Sequence, residues 1–170
     1  MKANRVMRIV ASTLLLVVTQ ICRSEEDYDP GKLAGALSQA SVSLDHGLKE
    51  SEREGRPISA KYEIENGTLQ LSVYTRKGDQ FHEVIVDHKS GAIKNTEPIT
   101  EADDMRDAKE QSAALAKATV PLDAAVRSAV KSNSGYRAVS IVPSASEGRP
   151  FATITLMKGK DVKRVIERLN

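Results

Sequence analysis

Cysteine and tryptophan are nearly absent from this sequence. Its 170 residues contain one cysteine, no tryptophan and only two phenylalanines. The cysteine, Cys22, lies in a segment that we expect to be removed, so the folded chain has neither disulfides nor thiolate metal sites nor a cysteine nucleophile. The hydrophobic core must therefore consist mainly of leucine, isoleucine, valine and alanine.

The motifs of common enzyme classes are missing too. The sequence has no Gly-x-Ser-x-Gly elbow, no phosphate-binding glycine loop, no His-Glu-x-x-His and no cluster of Cys and His. In a strand, His82 and His88 are about 20 Å apart, too far to share a metal. We therefore predict no catalytic, cofactor-binding or metal-binding residues, and a protein that is not an enzyme.

The N-terminus has the features of a secretory signal. Lys2, Arg5 and Arg8 form a basic start, and no acidic residue occurs before Glu25. Residues 9–18 are mostly apolar, and about 7–15 such residues form the core of a signal peptide. A membrane-spanning helix needs about 20. The pattern predicts export to the periplasm or the medium, with no stable membrane span in the mature protein.

The small residues near position 24 suit cleavage after Ser24, so we assign residues 1–24 to the signal peptide. An uncleaved membrane anchor is the alternative. A lipid-modified Cys22 is disfavoured because the residue before it is Ile21, where a very small residue is usual. Residues 25–31 are acidic, contain Pro30 and Gly31, and predict a flexible tail.

Residues 32–96 predict a helix and an antiparallel meander. Apolar residues recur at helical spacing, at Leu33, Leu37, Ala40, Leu44 and Leu48. Alternating stretches follow at residues 58–65, 68–74 and 80–87, with a short fourth at 92–94. Asn66-Gly67 is a strong hairpin signal. Asp87 and Gly91 are assigned to a turn, with the carboxylate accepting amide hydrogen bonds and the glycine supplying a positive φ.

Residues 97–118 are rich in charge and predict a solvated linker helix, with a disordered linker as the alternative. The first pattern then recurs over residues 119–170. A short helix is predicted from Pro121, and strands are predicted at residues 136–142, 151–157 and 162–168. This repetition indicates an internal duplication.

Both segments resemble PepSY domains. The first matches in its opening helix, in Leu71-Ser72-Val73-Tyr74, and in the strand that ends at Asp87 before Ser90-Gly91. The second matches in Leu122-Asp123-Ala124-Ala125-Val126 and in its last two strands. It ends at Asn170, where the family has an Asp, a turn and a Gly, so this unit is truncated.

The resemblance implies an α+β fold, with two tandem helix-plus-antiparallel-sheet units of the cystatin-like PepSY type joined by a linker helix. PepSY domains occur in exported or membrane-attached bacterial proteins and in propeptides of thermolysin-type metallopeptidases. The resemblance therefore implies a binding or regulatory protein, an inhibitor or modulator of a peptidase. The partner would be an extracytoplasmic peptidase or another envelope protein.

A second hypothesis depends on charge. Residues 25–116 carry 11 basic and 19 acidic residues, whereas residues 117–170 carry 10 basic and 4 acidic ones. A structural or ligand-sensing protein of the envelope would use the basic end to bind an anionic surface, through Lys158, Lys160, Lys163, Arg164 and Arg168. The simpler alternative is that this end faces the acidic half of the same molecule. Nucleic-acid binding is not predicted, because such footprints cluster basic residues more strongly.

Overall fold

The structure, a computed structural model, describes residues 29–170, and the structural statements below concern that part of the chain. The predicted signal peptide and its cleavage after Ser24 lie outside the described residues. The end of the predicted tail is helical instead. The Asp29 carboxylate accepts hydrogen bonds from the N–H groups of Gly31 and Lys32, at 2.8 and 3.2 Å, and so caps a helix that begins at Pro30.

The architecture is mixed α+β, as predicted, with four α-helices and one antiparallel sheet in the described chain. The helices are α1 (Pro30–Leu37), α2 (Leu44–Ser51), α3 (Ala102–Ala114), which a 3₁₀ turn (Leu115–Lys117) extends, and α4 (Leu122–Ser132). The strands are β1 (Arg56–Glu65), β2 (Thr68–Lys77), β3 (Gln80–Val86), β4 (Ile93–Pro98), β5 (Arg137–Ser146), β6 (Arg149–Lys158) and β7 (Asp161–Arg168).

The seven strands form one continuous sheet in the order β4-β3-β2-β1-β5-β6-β7. The meanders predicted in the two halves lie on opposite sides of a seam between β1 and β5. At this seam Ala60 is opposite Ile141 and Lys61 is opposite Ser140. Ala60 and Ile141 are fully buried, and the apolar side chains of both halves belong to one core cluster. The two segments therefore share a sheet and a core.

Helices cover both faces of the sheet. We call the face that contacts α1, α2 and α4 the front; Tyr62 on this face donates a hydrogen bond from its hydroxyl to the Val42 carbonyl. The opposite face is the back. Ser59, next in the strand to the front-facing Ala60, contacts α3 there through a 2.6 Å hydrogen bond to Gln111.

The single helix predicted across Leu33 to Leu48 is wrong. The structure has two helices, α1 and α2, with a break at residues 38–43, which include three serines and a β-branched valine that favour helix weakly. Ser41 and Val42 donate their N–H groups to the His88 carbonyl instead, at 2.9 and 3.0 Å. Apolar periodicity thus continues across a break that tertiary hydrogen bonds stabilise.

The predicted linker also differs. Its first two residues end β4, which runs to Pro98, and the rest forms a helix that packs on the sheet. Ala108, Ala114 and Leu115 are buried, and Ser112 accepts a hydrogen bond from Arg76 at 3.1 Å. Because the apolar residues of α3 are mostly alanines, the sequence pattern was too weak to indicate that α3 covers the back of the sheet.

Candidate functional site

The turn after β3 is organised by the Asp87 carboxylate. One oxygen accepts the N–H groups of Lys89 and Ser90 at 2.9 and 2.7 Å, and the other lies 2.8 Å from the Lys94 Nζ. The Lys94 ammonium and the two amides hold the pKa of Asp87 well below its usual range. Gly91 has a φ of +80° and donates its N–H to the Asp87 carbonyl at 2.8 Å. All these contacts lie within the turn or at the start of β4.

Replacing Asp87 with asparagine is expected to lower stability at neutral pH, because asparagine loses the ion pair and accepts hydrogen bonds more weakly. The folded-state pKa is depressed, so the carboxylate contributes fully above the unfolded pKa of about 3.9. The contribution declines as the pH falls toward the folded pKa. Urea unfolding at several pH values should therefore show a difference between variant and parent that shrinks in acid.

Asp79→Asn is the matched control for this prediction, because Asp79, in the turn between β2 and β3, is fully exposed and its 3.5 Å ion pair with Arg76 lies in solvent, where it contributes little. It should leave the urea midpoint unchanged at every pH. A destabilisation by Asp87→Asn that stays constant from neutral pH into acid would contradict the assignment.

The hairpin between β1 and β2 turns at the two residues that the sequence indicated. Asn66 has a φ of +49° and Gly67 a φ of +76°, and Glu65 is opposite Thr68 across the turn. Both residues are exposed. Asn66 and Gly67 shape the hairpin and form no cluster with the other candidate site residues.

The structure distributes the five predicted basic residues along one end and one edge of the sheet. Lys158 ends β6, Lys160 lies in the following turn, and Lys163, Arg164 and Arg168 belong to β7. On the front, Lys163 donates to the Asn133 side chain at 2.5 Å and lies 6.0 Å from the Tyr136 ring. Lys160 lies near Asp29, where its charge helps to stabilise the carboxylate. The five predicted basic residues therefore do not form one patch.

Arg164 and Arg168 lie on the back instead, because side chains alternate along a strand and Lys163 faces the front. No hydrogen bond or ion pair to the side chain of either arginine occurs among residues 29–170. Ile166 lies between them on the same face and is 69% exposed. This strip of alternating basic and apolar side chains lies at the edge of the sheet.

The outer edge of β7 is unpaired in the described part of the chain. The strand pairs with β6 in unbroken register along its eight residues, from Lys158 opposite Asp161 to Phe151 opposite Arg168. Alternate residues of an edge strand turn their N–H and C=O groups outward, so β7 offers a regular template for an added strand.

The opposite edge, β4, is a poorer template. It is shorter, has a register irregularity beside Ile85, and ends in Pro98. The Asn95 side chain accepts the Thr96 N–H, and Lys94 is paired with Asp87. Short length, proline and charge are common protections of a sheet edge. The two edges therefore differ in how well they would accept a peptide.

A recess of about 340 Å³ adjoins the end of β7. Phe151 and Pro150 of β6 and Ile166 of β7 give it an apolar surface, and Arg149 and Arg168 add charge. This recess was not predicted from the sequence. The signal was the adjacent pair Val165-Ile166: neighbouring apolar residues point to opposite faces of a strand, so one of them had to lie on the back.

A polar cluster lies elsewhere on the back face. Lys61 Nζ is 2.6 Å from one Glu63 oxygen, and Ser72 donates to the other at 2.8 Å. Burial raises the pKa of Glu83 beside them, and the Glu63 charge raises it further. Burial also raises the pKa of Tyr74, a residue of β2 opposite Glu83. This cluster was not predicted from the sequence, although alternating polar residues on adjacent strands indicate such a face.

A second and larger cleft, of about 550 Å³, lies between α2, the start of β1 and the segment before α4. Its apolar lining is Leu48, Pro57, Leu115, Val120 and Leu122. Glu52 and Asp123 at its rim are bound by Lys49 and Arg127, at 2.6 and 2.7 Å. Arg56 donates to a backbone carbonyl at 3.1 Å. The charged groups of the cleft therefore already have partners within the fold.

Two further observations concern the described residues. No group of three or more His, Asp or Glu side chains within residues 29–170 is arranged to hold a metal ion. None of the helices in this range is long and apolar enough to cross a bilayer.

Comparison with known proteins finds little similarity. No family model matches the sequence, and no curated protein matches it. Among solved structures, the chain is similar to a candidate lipoprotein from Clostridium difficile 630, with 10% sequence identity and a TM-score of 0.41. The similarity covers 72% of this chain and 80% of that one. Membership of the PepSY family and a role in peptidase regulation stay predictions.

Proposed function

We propose that this chain is an exported, non-enzymatic binding or regulatory protein of the PepSY type that adds an extended segment of another extracytoplasmic protein to β7. The observation that supports it is the regular outer edge of β7, unpaired within residues 29–170. An exposed antiparallel edge binds an extended peptide through main-chain hydrogen bonds, and the side-chain surfaces beside it select the sequence.

The arrangement of each half also supports the PepSY assignment. In both halves a helix, α2 or α4, precedes three consecutive antiparallel strands and packs on the front of the sheet. This is the order that two tandem cystatin-like units would have. The proposed partner is a peptidase of the cell envelope. Binding of a segment of that peptidase to β7 would modulate its activity. The proposed compartment follows from the N-terminal signal pattern.

Strand addition is tested by selecting a displayed library of random peptides on the full chain. Bound peptides should slow hydrogen exchange at alternate amides of β7, because those N–H groups would then be bonded to the peptide. Amides of β4 serve as the internal control. Peptides that are N-methylated at alternate positions keep their side chains but lose main-chain donors, so they should no longer bind. Binding without protection of β7 would overturn the proposal.

The regulatory role is tested with extracytoplasmic metallopeptidases. The full chain should inhibit at least one of them, and a selected β7-binding peptide should relieve that inhibition. Strand addition with apolar contacts should persist at high ionic strength, whereas binding to an anionic surface should weaken steeply. Binding to anionic vesicles with a steep salt dependence, and no inhibition of any peptidase, would favour the envelope-surface hypothesis.

A further inference from the structure

The surface next to the β7 edge has a pattern that selects among peptides. On the back face a row of residues crosses the last three strands, with Val142 opposite Thr153 and Thr153 opposite Ile166. Val142 and Ile166 are the large apolar residues of the described chain with the greatest exposure, at 40% and 69%. The row ends at the edge, so Ile166 would contact whatever strand is added there.

Positive charge lies on both sides of this apolar position. Arg164 and Arg168 are two residues before and two residues after Ile166, so all three project from the same face. Neither guanidinium has a hydrogen bond or ion pair to another described residue, although both backbones pair with β6. The recess between Phe151, Ile166 and Arg168 lies open beside them.

We infer that the segment added to β7 carries an apolar residue opposite Ile166 and an acidic residue two positions to each side, all on the back face. This inference rests on the proposed strand addition. Residues opposite one another on paired strands contact directly, and opposite charges there stabilise the pairing. Because the pattern is symmetric about Ile166, it does not depend on the direction of the added strand.

The front face of β7 lacks this pattern. The Lys163 ammonium is held by Asn133 and lies near the Tyr136 ring. Val165 is opposite the buried Ile154, and Glu167 carries a negative charge. A peptide with its acidic residues on the front would leave Arg164 and Arg168 unpaired. The selectivity therefore belongs to one face of the added strand.

A probe peptide of the length of β7 tests this inference on the full chain. The probe has leucine at its centre, glutamate two residues to each side, and threonine elsewhere. One control replaces both glutamates with glutamine, and a second places leucine and the glutamates on opposite faces. The probe should bind about tenfold more tightly than either control, as two favourable charge pairs imply. It should also protect β7 from hydrogen exchange.

Variants of the protein separate the contribution of the apolar contact from that of the two arginine charges. Ile166→Asp should weaken binding of the probe by about tenfold or more. The substitution removes the apolar contact with the leucine of the probe and adds a negative charge beside its two glutamates. The double variant Arg164→Gln, Arg168→Gln should bind the glutamate and glutamine probes equally. Arg53→Gln, at an exposed position near the end of α2, is the matched control and should preserve the preference.

The outcomes distinguish this inference from the proposal on which it rests. If glutamate and glutamine probes protect β7 with equal affinity, strand addition stands and the acidic specificity is wrong. If neither probe protects β7 although library peptides do, the inferred pattern is wrong. If no peptide protects β7, both are wrong. Sedimentation that shows two copies of the chain joined through β7, with no displacement by the probe, would also overturn the inference.

Discussion

Replacing Arg137 with alanine is expected to lower the free energy of unfolding by about 3 kcal/mol, because hydrogen bonds from a charged group contribute about 1.5–3 kcal/mol. The guanidinium donates to the carbonyls of Leu37, Ala40 and Val42, at 2.8, 3.3 and 3.0 Å, and lies 5.5 Å from the Tyr62 ring. Alanine would leave three carbonyls at the helix break without this donor. Urea unfolding followed by far-ultraviolet circular dichroism measures the loss.

Two further variants make this prediction specific. Arg137→Lys keeps the charge but not the planar donor group that reaches several carbonyls, so we expect an intermediate loss. Arg149→Ala removes a mostly exposed arginine of β6 and should change stability by less than about 0.5 kcal/mol. If Arg137→Ala and Arg149→Ala have the same stability, Arg137 does not hold the break between α1 and α2.

Replacing Ile141 with alanine is expected to cost about 3 kcal/mol, within the range of about 2–5 kcal/mol for truncating a fully buried aliphatic side chain. Ile141 has no exposed surface and lies opposite Ala60 at the seam of the sheet. Because the core is shared, hydrogen exchange should accelerate in β2 and in β6 alike. Exchange that accelerates in β6 alone would show that the two halves unfold independently.

Ile166→Ala is the matched control for Ile141→Ala, since the chemical change is identical but the side chain is 69% exposed. It should change stability by less than about 0.5 kcal/mol. A similar loss from both substitutions would contradict the burial on which the prediction depends.

Local patterns predicted most of the strands, because alternation over seven or more residues is a strong signal and each turn contains a glycine. The β1–β2 hairpin turns at Asn66-Gly67 for this reason, since both residues adopt positive φ. The break between α1 and α2 was not predictable in the same way. It depends on Arg137 and on the His88 carbonyl, which are distant in sequence.

The candidate site was predicted only in part. The sequence indicated a basic C-terminal end, but not that the Lys163 side chain is bound on the front while the side chains of Arg164 and Arg168 have no described partner on the back. Pairing the two halves into one sheet also makes β7 an outer strand. That depends on which strands meet at the seam, and no local pattern specifies that β1 pairs with β5.

The seam also has a consequence for the kinetics of folding. Of the six strand pairings, five join strands that are consecutive in the chain, and only β1 with β5 joins distant segments. Local pairings close short loops, whereas a distant pairing requires a long one, which raises the entropic barrier. We therefore expect the folding rate to be limited by the meeting of β1 and β5. Weakening the contact between Ala60 and Ile141 should slow folding, whereas an equally destabilising change within the β6–β7 hairpin should mainly accelerate unfolding.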